Sequence, residues 1–66
     1  MEYDKISIIP SRTLSELRLD ELIGREGFVV ERHYHKDGSF SGAWVQLIGE
    51  PYQDEPEWFI PSNSIQ

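Results

Sequence analysis

Residues 57–66 read EWFIPSNSIQ, an apolar run that ends at a proline and is followed by a polar triplet and a last isoleucine. Trp58, Phe59 and Ile60 have the aromatic and β-branched character that strands favour. Proline cannot donate a hydrogen bond to a β-ladder, so Pro61 should end this strand. The stretch therefore predicts a strand over 57–60, a single turn over 61–63 and a short final strand over 64–66.

The segments before this stretch predict three further strands. Residues 5–9 are rich in isoleucine and end at Pro10, while residues 28–35 read FVVERHYH. A third strand should run from about Phe40 to Ile48, with Gly42 as a candidate bulge. Asp37-Gly38 suits a tight hairpin between the second and third strands, because glycine accepts a positive φ. The loop GEPYQDEP, residues 49–56, should be exposed.

The segment SRTLSELRLDELIG, residues 11–24, has a different pattern. Its leucines at 14, 17 and 22 recur near helical spacing, and Thr13 with Glu16 matches a capping box. Gly24 could end a helix, since glycine adopts the left-handed conformation without a side-chain penalty. We expect a short helix or a helical turn here.

Side-chain alternation along the strands predicts the core and the fold class. Phe28 and Val30 should share the inner face of the second strand, and in the third strand Val45 and Leu47 should face away from Trp44. One domain over residues 1–66, all-β with one short helix, should close as a five-stranded barrel, which removes exposed sheet edges. The predicted core is Ile6, Ile8, Leu17, Leu22, Phe28, Val30, Val45, Leu47, Ile60 and Ile65.

The closing FIPSNSI, residues 59–65, resembles the aromatic-Ile-Pro-Ser-Asn-Tyr-Val signature at the end of Src homology 3 domains. The order of elements is also similar to that family. The resemblance implies an SH3-like barrel with Ile60 and Ile65 in its core, and it places Phe59 and Pro61 where the family lines a groove for proline-rich peptides. The family's Ala-Leu-Tyr-Asp-Tyr motif and tryptophan pair are absent, and Ser64 replaces a groove tyrosine. The resemblance therefore predicts the family's barrel better than it predicts the family's peptide groove.

The charge distribution bears on the class of partner. The formal net charge is −6, and all six lysines and arginines lie in the first 36 positions. After Lys36 the chain carries five acids and no lysine or arginine, a composition that disfavours phosphate backbones because nucleic-acid binding depends on basic groups. An alternative stays open, since GREGFVV, residues 24–30, resembles the opening strand of KOW-type barrels. On that hypothesis the chain is a nucleic-acid or ribosome-associated barrel that uses Arg25, Arg32 and Lys36.

The absence of cysteine excludes a disulfide framework and a thiolate zinc site. The first residues, MEYDKISIIP, lack the basic start and the apolar run of a secretory signal. No stretch approaches the ~18 apolar residues of a membrane span. We expect a cytoplasmic protein without a membrane segment.

Metal binding and catalysis find little support in the residue pattern. Glu31, His33 and His35 share one strand face, but zinc requires three or four ligands of this kind, and a solvated strand face is the simpler interpretation. No serine lies in a G-x-S-x-G elbow. The sequence predicts a non-enzymatic chain with no metal and no cofactor.

The aromatic residues of the second half are the candidate partner-binding site. Exposed tryptophans are enriched at interface hot spots, and an acidic rim would favour a basic protein partner. The alternative is that the two tryptophans only cover a thin core. The predicted binding residues are Trp44, Tyr52, Trp58, Phe59 and Pro61, and the predicted rim is Glu50, Asp54, Glu55 and Glu57.

Overall fold

The structure, a computed structural model, describes residues 4–66. Four antiparallel strands form one open sheet in the order β1-β2-β3-β4. The sequence prediction of a mostly β fold with one short helix is confirmed. No helix within the described residues is long and apolar enough to cross a membrane. The elements are β1 (Lys5–Ser7), α1 (Arg12–Glu16), a first 3₁₀ helix (Asp20–Leu22), β2 (Glu26–Tyr34), β3 (Phe40–Leu47), β4 (Glu57–Pro61) and a second 3₁₀ helix (Ser62–Ser64).

A five-stranded barrel is not shown, because the last residues form a 3₁₀ helix and a single β-bridge instead of a fifth strand. The bridge joins Ile8 to Ile65. Ser7 and Gln66 exchange main-chain hydrogen bonds of 3.1 and 3.0 Å on one side of it. Ile65 also packs against the buried core. The chain's end is therefore fixed beside β1, which is an edge strand of the sheet.

The hairpin between β2 and β3 follows the turn chemistry of its sequence. Gly38 has a φ of +90°, and the His35 N–H donates to the Ser39 carbonyl at 2.8 Å, so the loop contains three residues. The Ser39 hydroxyl and N–H both donate to Asp37 Oδ1, at 2.6 and 2.9 Å. These bonds favour the charged carboxylate and hold the pKa of Asp37 below its ordinary 3.8.

Part of the predicted core in β2 is wrong, because Gly27 and Val29 face inward in place of Phe28 and Val30, and a bulge follows Val29. Val29 pairs with Val45 and Glu31 pairs with Trp44, which leaves Val30 as an extra residue in β2. Such an extra residue breaks the period of two, so one alternation cannot describe the whole strand. Val29 is buried where Phe28 and Val30 were expected, and Phe28 is 38% exposed. The buried hydrophobic residues are Ile6, Ile8, Leu14, Leu19, Leu22, Val29, Ala43, Val45, Leu47 and Ile60.

The helical segment begins earlier and ends sooner than its sequence suggested. The N-cap of α1 is Ser11, whose side chain accepts from the Leu14 N–H at 3.1 Å, and not Thr13. The helix stops at Glu16 because Arg18 takes a left-handed φ of +59°, so Gly24 has no part in ending it. This early stop rotates the following leucines. Leu14 and Leu19 are buried, whereas the predicted core residue Leu17 is 48% exposed.

The two helical leucines provide a matched test of this packing. Leu14→Ala removes a fully buried side chain and should lower the free energy of unfolding by about 2–5 kcal/mol. Leu17→Ala should cost about 0.5 kcal/mol or less, because that side chain is largely in water. Urea denaturation followed by circular dichroism measures both. Equal losses for the two variants would contradict the described packing.

Candidate functional site

An open groove of about 430 Å³ lies between the segment that follows α1 and the β3–β4 side of the sheet. We call it the Trp groove. Its volume falls within the range of about 300–1,000 Å³ that is typical of binding sites for small ligands or a few side chains. Its lining is mainly apolar, with two carboxylates. The lining residues are Leu17, Leu19, Trp44, Glu55, Glu57, Trp58 and Phe59.

Trp44 and Phe59 form the part of the groove on the outer face of the sheet. They are direct cross-strand partners, and their ring centroids lie 5.9 Å apart at an interplanar angle of 72°. Trp44 alternates with the buried Val45 and is 38% exposed, as the sequence predicted. The His33 ring adds a second edge-to-face contact to Phe59 at 5.8 Å. Three neighbouring strands thus hold the Phe59 ring in a fixed orientation.

Gly42 provides the space that the Phe59 ring occupies. A Cβ atom at position 42 would lie 2.7 Å from Phe59 Cζ and 2.6 Å from the carbonyl oxygen of Ile60. Both distances are shorter than real Cβ atoms show, and the second involves backbone. Only glycine lets β4 and its aromatic ring approach β3 this closely.

Trp58 lies on the opposite face of β4 and has two roles. Its ring packs against the buried core and also lines the groove. The indole N–H donates to the Glu55 carbonyl at 3.0 Å, and the Tyr52 ring lies 5.4 Å away at 57°. The same side chain therefore covers part of the core and forms part of the groove. Tyr52 supports Trp58 and does not line the groove.

The structure brings together three of the five predicted binding residues as groove lining: Trp44, Trp58 and Phe59. Pro61 is buried and lies opposite Gly42, outside the lining. Sequence reasoning missed Leu17 and Leu19 as groove residues. No signal could have found them, because their placement follows from the left-handed turn at Arg18, and arginine rarely adopts that conformation.

The carboxylates of the groove have no cationic partner within residues 4–66. Acids elsewhere in the chain do: Glu26 lies 3.6 Å from Lys5, and Glu16 lies 3.3 Å from Arg12. Of the predicted acidic rim, Glu55 and Glu57 line the groove, while Glu50 and Asp54 lie outside it. Two uncompensated negative charges therefore border an apolar surface, which gives the groove a negative potential.

The cations of the nucleic-acid hypothesis make contacts within the fold. Arg25 donates to the carbonyl oxygens of Ile48 and Glu50, and Arg32 forms an ion pair with Asp4. Lys36 lies in the hairpin loop. The nucleic-acid interpretation stays a prediction. Its test is retention on RNA or DNA at moderate salt with a steep salt dependence.

On the face of β2 that carries the histidines, His33 Nε2 lies 3.3 Å from Glu31 Oε2. In the part of the chain that the structure describes, no group of three or more His, Cys, Asp or Glu side chains is placed to hold a metal ion.

Searches of protein-family models, curated proteins and solved structures found no match to this chain.

The contact between Gly42 and Phe59 gives a second prediction. Gly42→Ala should lower the free energy of unfolding by about 1–3 kcal/mol, because the added methyl group overpacks the β3–β4 contact. It should also shift the tryptophan fluorescence, since Trp44 packs on the displaced Phe59 ring. The adjacent Ser41→Ala is the control and should change neither quantity. A Gly42→Ala protein with wild-type stability would contradict the close approach.

Proposed function

We propose that this chain is a small non-enzymatic protein-interaction module that binds a basic protein partner in the Trp groove. The observation that supports this best is the combination in one groove of Trp44, Phe59 and Trp58 with the carboxylates of Glu55 and Glu57, which form no ion pair within residues 4–66. Tryptophan contributes a large contact area with few rotatable bonds, which is why it is enriched among interface hot spots. An apolar surface beside uncompensated charge is typical of a binding site and not of a surface that water alone covers.

The charge of the groove favours a lysine- or arginine-bearing partner. Because the whole chain has a net charge of −6, a basic partner gains from long-range attraction before contact, and the two groove carboxylates then orient it. The attraction weakens with salt over a Debye length of about 10 Å at 0.1 M ionic strength. Binding should therefore depend on salt, although its apolar component should not.

The proposed architecture for this module is an SH3-like five-stranded barrel. Two observations support it: the FIPSNSI stretch resembles the end of that family, and the last residues bond to β1. The Ile9 N–H donates to the Ser64 carbonyl at 2.8 Å, beside the bridge between Ile8 and Ile65. In this proposal the 64–66 segment acts as a rudimentary fifth strand. The aromatic residues of the module then lie on a groove of their own, because the family's groove motifs are largely missing from this sequence.

Trp44 provides the most direct test of the proposed binding function. Dodecapeptides selected from a displayed random library on the wild-type protein should combine lysine or arginine with apolar residues. Trp44→Ala should weaken their binding by about 2 kcal/mol, or roughly thirtyfold, as expected for a hot-spot tryptophan. Isothermal titration calorimetry measures the change. Circular dichroism checks that the variant remains folded, which the outward position of this side chain allows.

Two matched controls sharpen the test. Tyr34→Ala removes another exposed aromatic side chain, 59% exposed and outside the groove, and should leave the affinity unchanged. Glu57→Gln should weaken binding and reduce its salt dependence, whereas Glu21→Gln, the same charge change away from the groove, should not. Library peptides that bind Trp44→Ala as well as wild type, or that lack basic residues, would refute the proposal.

A further inference from the structure

The free edge of β4 borders the Trp groove. β4 is the last strand of the sheet, and the Leu47 N–H donates to the Pro56 carbonyl at 2.8 Å. In an antiparallel ladder this bond fixes which main-chain groups face the neighbouring strand. Trp58 and Ile60, opposite Val45 and Ala43, direct their main-chain groups toward β3.

The intervening residues of β4 direct their main-chain groups the other way. These groups are the N–H and C=O of Glu57 and Phe59 and the C=O of Pro61. The register turns the Glu57 and Phe59 N–H groups away from β3, and outside the ladders no main-chain acceptor within residues 4–66 bonds to them. Their side chains line the groove, and Leu17 and Leu19 form its opposite wall. The groove therefore runs along a row of unused hydrogen-bonding groups and not over a closed surface.

We infer that the partner binds in an extended conformation, as a short added strand along the free edge of β4 at Glu57–Phe59. This inference rests on the proposed function and specifies how the basic partner is held. Main-chain hydrogen bonds from an added strand supply affinity, and side-chain pockets on alternate positions supply specificity. Pro61 has no N–H, so it limits the ladder at one end and keeps the added strand short.

The register of an added strand predicts the pattern of its residues. A partner residue opposite Phe59 lies on the same face as Phe59 and Trp44, so it should be apolar. The next residue points to the other face, toward Trp58 and Leu19, and should also be apolar. The residue after that lies opposite Glu57 and should be lysine or arginine. Antiparallel addition therefore favours the order apolar-apolar-basic, and parallel addition favours the reverse order.

Charge argues against a second copy of this chain as the added strand. Each copy carries a net charge of −6, and its own groove-lining stretch supplies Glu57 where a cation is needed. Pairing two β4 edges would bring the carboxylates of Glu55 and Glu57 from both copies into one region. Like charges at close range oppose such pairing, whereas a basic segment neutralises them.

The experiment uses the full chain and a capped octapeptide, Ser-Thr-Thr-Val-Leu-Lys-Thr-Lys, as probe. Amide hydrogen exchange followed by NMR reports the two free N–H groups directly. With bound peptide, exchange at Glu57 and Phe59 should slow in proportion to the bound fraction, because only the free protein then exchanges these protons. Methylation of the peptide's valine nitrogen should weaken binding by about tenfold or more, because it removes a main-chain bond without changing charge. Methylation of the leucine nitrogen, which points away from β4, is the matched control and should have little effect.

Each outcome separates the binding mode from the binding function. Octapeptide binding that is insensitive to valine N-methylation, with unprotected Glu57 and Phe59 amides, would overturn strand addition and leave the proposed function standing. If a proline-rich peptide of equal charge bound more strongly than the octapeptide, strand addition would also be overturned and the proposed function would stand. Concentration-dependent protection of these amides without peptide would show pairing with a second copy and would overturn the inference. Failure of the octapeptide to bind at millimolar concentration also overturns the inference, whereas the proposed function fails if the library peptides bind Trp44→Ala as well as wild type or lack basic residues.

Discussion

The hydrogen bond between the Ser11 and Ser64 hydroxyls, 2.5 Å long, fixes the relation of the helix to the end of the chain. Ser64 is fully buried, and a buried hydroxyl without a partner would cost about 1–3 kcal/mol, so this pairing is strongly favoured. Ser11 also caps α1 through the Leu14 N–H. One serine therefore begins the helix and joins it to the turn after β4. The groove depends on this link, because it places the leucines after α1 opposite Trp58.

Much of the sheet could be predicted from the sequence, because local chemistry decides it. The hairpin at Asp37-Gly38 requires glycine at a positive φ, and prolines at positions 10 and 61 mark where pairing must change. Two of the places where the backbone breaks a period could not be predicted. The bulge at Val30 reverses the alternation of β2 after Val29, and the left-handed Arg18 shortens the helix. Neither valine nor arginine predicts such a conformation, since the conformations of Val30 and Arg18 both depend on the packing of distant segments. The groove wall at Leu17 and Leu19 was missed for the same reason.

The two large aromatic residues beside Pro61 follow from the geometry of an edge strand. Trp58 points inward and covers a core that a chain of 66 residues can fill only thinly. Phe59 points outward and lies on Gly42, where it meets Trp44. Pro61 ends the strand at the position where its missing N–H would face solvent and not β3. A single five-residue strand thus supplies core cover, one wall of the groove and an unpaired edge.

An unpaired strand edge beside exposed aromatic rings favours aggregation, and acidic side chains near the edge oppose it. Charges at an edge strand discourage indiscriminate pairing, so Glu55 and Glu57 keep the apolar groove compatible with water. In the proposed binding mode the same carboxylates make the edge selective, because a strand that brings no cation would bury them without compensation, at a cost that apolar contacts must first offset. A strand with a lysine or arginine opposite Glu57 removes that cost. In the proposed binding mode, protection against unwanted partners and recognition of a basic one therefore have the same physical cause.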